Sequence, residues 1–161
     1  AVAAKLALDM AGDAEAEMRE KVGEFYRTEI RDTVSPLAKE ALERHRQQGD
    51  RIVLLTSATP YVAEPLADEL AIPHVLCTRL AVENGRFSGT LLPPACYGEG
   101  KVHHAERFAS SHGIDLDASF FYTDSYSDLP MLLRVGQPVA VNPDRRLVRY
   151  ARHRGWPILS W

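Results

Sequence analysis

The chain has 161 residues, of which 45% are hydrophobic and 25% are charged, a balance typical of one globular domain with a buried core. Its formal net charge of −3 provides no basic surface for nucleic acid, so no nucleic-acid partner is expected. No apolar run is long enough to cross a membrane and the first ten residues lack the pattern of a signal peptide, so no membrane partner is expected. Cys77 and Cys96 form no CxxC pair; one disulfide is possible, but two reduced thiols in a cytoplasmic protein fit better.

Three helix starts share one pattern, in which a small polar residue that can cap the helix precedes a proline. These starts are Ser35-Pro36, Thr59-Pro60 and Asn142-Pro143. The capping pattern, together with amphipathic periodicity and following glycines, predicts five helices. They cover residues 13–32, 36–48, 60–70, 100–112 and 143–153.

Short apolar runs lie between these helices and do not alternate with polar residues, which is typical of strands buried on both faces of a parallel sheet. They cover residues 51–55, 74–77, 119–123, 138–141 and 157–161. Residues 79–91 break the alternation of strand and helix, and Asn84-Gly85 within them predicts a β-hairpin. The fold class is therefore α/β, with a doubly wound, Rossmann-like parallel sheet and a hairpin insertion.

Two polar clusters follow or adjoin predicted strand ends, where open α/β sheets bind ligands. Thr56, Ser57 and Ala58 precede the helix that begins at Pro60, so their hydroxyl and N–H groups offer either an anion site or simple helix caps. Lys101 lies just inside another helix, at the end that disfavours a cation. An anionic ligand would explain that position, although an ordinary surface lysine is the alternative.

A third cluster, Asp124 and Asp128 with intervening serines, directly follows the run Phe120–Thr123. Mg²⁺ in proteins takes one or two carboxylates together with water and phosphate oxygens. The alternative is that one carboxylate only caps the segment that begins at Leu129. Taken together, a hydroxyl, a lysine and a carboxylate pair at one sheet edge predict a site for phosphate and Mg²⁺.

The order of these clusters resembles the order of motifs in the haloacid dehalogenase (HAD) superfamily, and within it the phosphoserine-phosphatase-like branch. The resemblance implies that Thr56 and Lys101 bind phosphate, with Ser57 and Ala58 beside them, and that these two act in catalysis with Asp124 and Asp128. It also implies that Asp124 binds Mg²⁺ with the support of Asp128. In this family the helical cap precedes the second motif, to which the segment with Thr56 corresponds. Residues 1–33 are therefore expected to be the remainder of a cap and residues 34–161 the α/β core.

The first motif of the family, DxDxT on a central strand, is not found in this chain. Asp9 and Asp13 are the only candidates, and they differ from the motif in spacing and context. We therefore expect the nucleophilic aspartate in a missing N-terminal segment and expect the chain as given to be inactive. The resemblance implies Mg²⁺-dependent hydrolysis of a small phosphate monoester, phosphoserine-like, through an aspartyl-phosphate. An inactive phosphate-ligand-binding or interaction protein of the same fold and a phosphotransferase remain alternatives.

Overall fold

The computed structural model describes residues 2–161, except for the side chains at positions 2, 3 and 6. Seven α-helices and seven strands occur in these residues. The helices are α1 (Val2–Asp9), α2 (Glu15–Phe25), α3 (Pro36–Gln47), α4 (Pro60–Glu69), α5 (Glu99–His112), α6 (Leu129–Arg134) and α7 (Arg145–Arg154). The strands are β1 (Leu54–Leu55), β2 (Val75–Leu76), β3 (Arg79–Glu83), β4 (Arg86–Leu92), β5 (Phe120–Thr123), β6 (Gln137–Val141) and β7 (Ile158–Leu159).

The chain forms two compact units, one ending at Cys96 and the other comprising Tyr97–Trp161. In the first unit β1 pairs in parallel with β2, and β3 pairs antiparallel with β4. The hairpin turn has Asn84 at φ 51° and Gly85 at φ 75°, and two consecutive positive φ angles are what a tight two-residue turn requires. The predicted hairpin is therefore confirmed.

The core of the first unit joins the N-terminal helices to the hairpin. Its buried residues are Ala7, Met10, Tyr61, Leu80 and Phe87. The Tyr61 and Phe87 rings meet edge to face with centroids 5.7 Å apart, an arrangement that aromatic pairs favour. The first helices of the chain are thus packed on the hairpin.

The second unit contains a three-stranded parallel sheet in the order β5-β6-β7. Its core consists of the fully buried Leu132, Ala140, Leu147 and Ala151, which come from α6, β6 and α7. Thr123, the last residue of β5, lies opposite Ala140 of β6. This register places the carboxyl end of β5 at the edge of the sheet where ligands of α/β proteins bind.

The α/β class and the parallel pairing predicted from sequence are confirmed, with corrections to single elements. The helix predicted over residues 13–32 is divided into α2, a π-helical turn at Tyr26–Ile30 and a 3₁₀ turn at Arg31–Thr33. Helix α6 was not predicted, because its six residues are too few to show periodicity. The strand predicted over residues 51–55 is shorter than expected, since only Leu54 and Leu55 have strand geometry.

Two of the three predicted helix starts, at Pro36 and Pro60, are confirmed, but only Ser35 forms the expected side-chain cap. Ser35 caps α3, because its side chain accepts a hydrogen bond from the N–H of Leu37. Thr59 precedes α4 without a side-chain capping bond. Asn142 does not begin a helix: Asp144 caps α7, and its carboxylate accepts from the N–H groups of Arg146 and Leu147.

Within residues 2–161, β1 pairs only with β2 and β5 pairs only with β6. Each of these two strands therefore has one edge that no described strand covers.

Among the described helices, none is long and apolar enough to cross a membrane. The division at residue 33 between cap and core stays a prediction.

Candidate active site

A short turn fixes the residues that follow β5. The hydroxyl of Thr123 accepts a hydrogen bond from the N–H of Ser125 (3.2 Å), and the hydroxyl of Ser125 accepts from the N–H of Ser127 (3.3 Å). The N–H of Asp128 donates to the carbonyl of Ser125 at 3.1 Å. Hydroxyl side chains commonly stabilise such turns because they reach a backbone group two residues on. Thr123 and the serines therefore fix the backbone that carries both aspartates.

Lys101 and Asp128 form a buried ion pair. The distance between Lys101 Nζ and Asp128 Oδ2 is 2.7 Å, and the two side chains are only 8% and 6% exposed. The Thr123 hydroxyl donates to the same carboxylate oxygen at 2.7 Å. The Lys101 ammonium also lies 5.8 Å from the centre of the Phe121 ring. A buried charge costs free energy unless it is paired and hydrogen-bonded, and both conditions are met here.

The start of α5 brings Lys101 to this pair. Gly98 precedes the helix with φ 52° and ψ −124°, a conformation that glycine adopts more easily than other residues. A Cβ atom at Gly98 would lie 4.0 Å from the carbonyl oxygen of Ser127, so the two segments approach closely. The expectation that Lys101 lies just inside a helix is confirmed, and the alternative of a surface lysine is excluded because the residue is buried.

Asp124 occupies a different environment from Asp128. Its side chain is exposed, and no residue among those the structure describes forms a hydrogen bond or ion pair with its carboxylate. Carboxylate oxygens are the ligands that Mg²⁺ prefers, and one or two suffice when water and a phosphate supply the others. The exposed carboxylate of Asp124 is therefore compatible with a magnesium ligand, and the metal-binding roles of Asp124 and Asp128 stay predictions. Within residues 2–161 no group of three or more His, Cys, Asp or Glu side chains could form a cage for a metal.

Asp144 connects the turn after β5 to helix α7. Its N–H donates to the carbonyl of Asp124 at 2.8 Å, and its Oδ2 accepts from the N–H of Tyr126 at 2.7 Å. Its Oδ1 caps α7. The hydrogen bond from Tyr126, followed by those from the helix start, lowers the pKa of Asp144.

Thr56, Ser57 and Ala58 lie in the first compact unit, directly after β1. The Thr56 hydroxyl accepts a hydrogen bond from the N–H of Ala58 (3.1 Å), and the carbonyl of Ala58 accepts from the N–H of Thr78 (3.1 Å). The Thr56 side chain is half-buried and that of Ser57 is exposed. The loop is thus held to Thr78, the residue before β3, and Ser57 is exposed to solvent.

A cavity of about 330 Å³ in the first unit contains none of the predicted site residues. Its lining includes Tyr26 and Glu69, which share a 2.6 Å hydrogen bond. Burial and this bond raise the pKa of the Tyr26 hydroxyl to about 12. Glu69 ends α4, whereas Thr56 to Ala58 precede the start of that helix, so the cavity is separate from the predicted phosphate loop.

Among the predicted site residues, the structure joins Lys101 and Asp128 directly and places Asp124 on the same turn as Asp128. Thr123 and Asp144 were not predicted from the sequence. A hydroxyl at the end of a strand was a usable signal for Thr123. No local pattern connects Asp144 with a turn 18 residues earlier.

Residues 1–133 of the chain match the family of haloacid dehalogenase-like hydrolases. A histidinol-phosphatase from Neisseria meningitidis is 30% identical over 151 residues, which are 89% of this chain and 68% of that protein. Phosphoserine phosphatase SerB1 from Mycobacterium tuberculosis is 37% identical over 148 residues, which are 91% of this chain and 48% of that protein. A crystal structure of a protein with unknown function from Bordetella pertussis Tohama I has a TM-score of 0.86 and 29% identity, covering 93% of this chain and 69% of that one.

The chain spans about half the length of the first curated relatives that it matches.

Proposed function

The chain belongs to the haloacid dehalogenase-like hydrolases, and we propose that its protein is a Mg²⁺-dependent phosphomonoesterase acting on a small phosphorylated metabolite. The observation that carries the proposal is the pairing of a buried lysine with a buried aspartate beside a second, exposed aspartate. Lys101 Nζ and Asp128 Oδ2 are 2.7 Å apart. Asp124 lies on the same turn as Asp128, and no described residue pairs with its carboxylate. A cation and a free carboxylate at one strand end are suited to a phosphate with its metal ion.

Each residue has a proposed role. Asp128, whose carboxylate also accepts a hydrogen bond from Thr123, holds the Lys101 ammonium by one of its three N–H donors, which leaves donors for the oxygens of a phosphoryl group. Asp124 would hold Mg²⁺, which when bound would neutralise negative charge on the phosphoryl oxygens. The Thr56 hydroxyl and the N–H of Ser57 are proposed to bind the phosphate as well. Such donors act through their fixed positions, because groups that need no rearrangement stabilise the developing charge best.

The nucleophile is proposed to be an aspartate outside these 161 residues. It would attack phosphorus and displace the alcohol of the ester to give an aspartyl-phosphate, which water then hydrolyses to inorganic phosphate and the free aspartate. The positions of the two candidates within the chain support this proposal. Asp9 ends helix α1, and Asp13 lies in the turn before α2, so neither follows a strand. The uncovered edge of β5 offers a place for a further strand to pair.

The substrate is proposed to be an amino-bearing phosphate monoester. Two relatives bear the names histidinol-phosphatase and phosphoserine phosphatase, and the compounds in both names are phosphate esters of a small molecule that carries an amino group.

The experiment is a substrate panel with the full-length gene product at saturating Mg²⁺. Phosphoserine, histidinol phosphate, a sugar phosphate and an aryl phosphate are compared by release of inorganic phosphate. We expect the two amino-bearing esters to give the highest kcat/KM. Equal rates with the sugar phosphate would refute the substrate class, and no hydrolysis of any ester would favour an inactive binding protein of the same fold.

A further inference from the structure

The link between α7 and the turn after β5 extends the proposed function, on which the following inference rests. Asp144 follows β6 by three residues and contacts the turn at two points on either side of Ser125. Its N–H donates to the carbonyl of Asp124, and its Oδ2 accepts from the N–H of Tyr126 at 2.7 Å. The two bonds together fix the backbone from residue 124 to residue 126.

The other carboxylate oxygen of Asp144 fixes the position of the Asp144 side chain. Oδ1 accepts from the N–H groups of Arg146 (2.8 Å) and Leu147 (2.9 Å), so the side chain is anchored on the start of α7. Leu147 is fully buried in the core of the second unit, which anchors this helix. The turn is therefore held by an element whose own position is set by packing.

Tyr126 is held on its other side as well. The guanidinium of Arg146 lies 4.1 Å from the centre of the Tyr126 ring, and the Tyr150 ring meets it with centroids 6.1 Å apart. Both partners come from α7, so the side chain and the backbone of Tyr126 are bound to one helix. A rotation of the turn would break all of these contacts together.

Asp124 has no such support of its own. Among the described residues its carboxylate has no partner, so its direction depends on the backbone from which it projects. A metal ligand whose direction is not fixed in advance must lose conformational freedom when the ion binds. Groups that orient metal ligands typically change metal affinity by about 10- to 100-fold when they are removed.

We propose that Asp144 is a positioning residue for the metal site, which holds the Asp124 carboxylate in its binding direction through the backbone of residues 124–126. Asp144 itself touches neither the ion nor the phosphate in this proposal. Its two functions, capping α7 and fixing the turn, use different oxygens and can be separated by mutation.

The separating variant is Asp144→Ser. Serine is a good helix cap, so its hydroxyl can replace Oδ1 at the start of α7, but it has no second oxygen for the N–H of Tyr126. The matched control is Asp115→Ser, because Asp115 also caps a short helix, accepting from the N–H of Asp117 at 2.9 Å, and is exposed. The probe is Mn²⁺, whose binding to the full-length gene product is followed by the loss of the free-ion signal in electron paramagnetic resonance.

We expect Asp144→Ser to weaken Mn²⁺ binding about 10-fold or more while its melting temperature stays close to that of Asp115→Ser. Equal affinity in Asp144→Ser and the wild type, or equal weakening in Asp115→Ser, would overturn the inference and leave the proposed function intact. A full-length wild-type protein that binds no Mn²⁺ would instead overturn the proposed metal site, and the inference with it.

A second pair of variants approaches the same bond from the turn and covers the case in which Asp144→Ser does not fold. Tyr126→Pro removes the N–H that Asp144 accepts, and Ser125, at φ −107° and ψ 131°, already has the extended conformation that a following proline requires. Tyr126→Ala is the matched control, because it also removes the ring but keeps the N–H. Weaker Mn²⁺ binding in Tyr126→Pro than in Tyr126→Ala is expected, and equal binding would contradict the inference.

Discussion

Two aspartates four positions apart carry the same charge but have opposite surroundings. Asp128 is 4% exposed and shares one oxygen between Lys101 and Thr123, whereas Asp124 is exposed and has no partner among the described residues. The difference follows from the turn between them, which directs one side chain inward and the other outward. One aspartate is therefore part of the structure of the site, and the other is available to a ligand.

This difference predicts opposite results for two alanine variants. Asp128→Ala leaves the buried Lys101 ammonium without its partner, so we expect a loss of about 3–5 kcal/mol in the free energy of unfolding. Asp124→Ala removes no contact, and its stability should stay within about 0.5 kcal/mol of the wild type. Urea unfolding of both variants measures this, and similar losses in the two would contradict the assigned environments.

Lys101 allows a test of geometry at constant charge. Its ammonium lies between the carboxylate of Asp128 and the ring of Phe121, in a space where only 8% of the side chain is exposed. A planar guanidinium is larger than an ammonium and cannot place its donors at one point. The full-length Lys101→Arg enzyme should therefore lose most of its turnover but keep part of the free energy of unfolding. Lys39→Arg, at a lysine whose side chain is 52% exposed, is the control and should change neither. Full activity in Lys101→Arg would show that only the charge matters.

At the scale of single elements, helix α3 and helix α4 form a natural comparison. Both begin with proline after a hydroxyl residue, yet only Ser35 makes a capping hydrogen bond and Thr59 does not. We expect Ser35→Ala to lower the free energy of unfolding by about 1 kcal/mol and Thr59→Ala to lower it by clearly less. Thermal unfolding of the two variants tests this, and the reverse order would mean that Thr59 is the stronger cap.

The turn between α6 and β6 depends on a close backbone contact. A Cβ atom at Gly136 would lie 1.7 Å from the carbonyl oxygen of Asp117, and the N–H of Gly136 donates to the carbonyl of Leu116. Since neither backbone can move without losing this bond, Gly136→Ala should cost about 3 kcal/mol. Gly113→Ala, where a Cβ would meet no atom within 4 Å but φ is 64°, should cost only about 1 kcal/mol. Equal losses would show that the backbone contact at Gly136 costs no more than the positive φ at Gly113.

The helices and strands were largely predictable because their signals are local. The cap at Ser35 and the hairpin at Asn84-Gly85 are encoded within a few residues and were found. The start of α7 was predicted two residues early, at Asn142-Pro143, because the pattern used requires a proline after the capping residue, whereas the actual cap, Asp144, is followed by Arg145. Local rules therefore locate elements better than they locate their exact ends.

At the scale of the whole molecule, the order of motifs predicted the family, while the contacts inside the site could not be predicted. The resemblance placed Lys101, Asp124 and Asp128 in one site, and the family match over residues 1–133 confirms the family. The sharing of one Asp128 oxygen by Lys101 and Thr123 depends on how α5 packs beside α6, which no short-range pattern encodes. The roles of Thr56, Ser57 and Ala58 stay predictions.

The turn after β5 is proposed to hold the metal ion on which phosphate-ester hydrolysis depends. The most direct test is the initial rate of phosphate release from an aryl phosphate by the full-length gene product, with and without Mg²⁺, in the wild type and in Asp124→Ala. The account predicts Mg²⁺-dependent release by the wild type. It also predicts a loss of at least about 100-fold in the folded Asp124→Ala variant, as expected for a group that stabilises transition-state charge through its ion. Hydrolysis by the wild type that needs no Mg²⁺, or an Asp124→Ala variant as active as the wild type at saturating Mg²⁺, would contradict it.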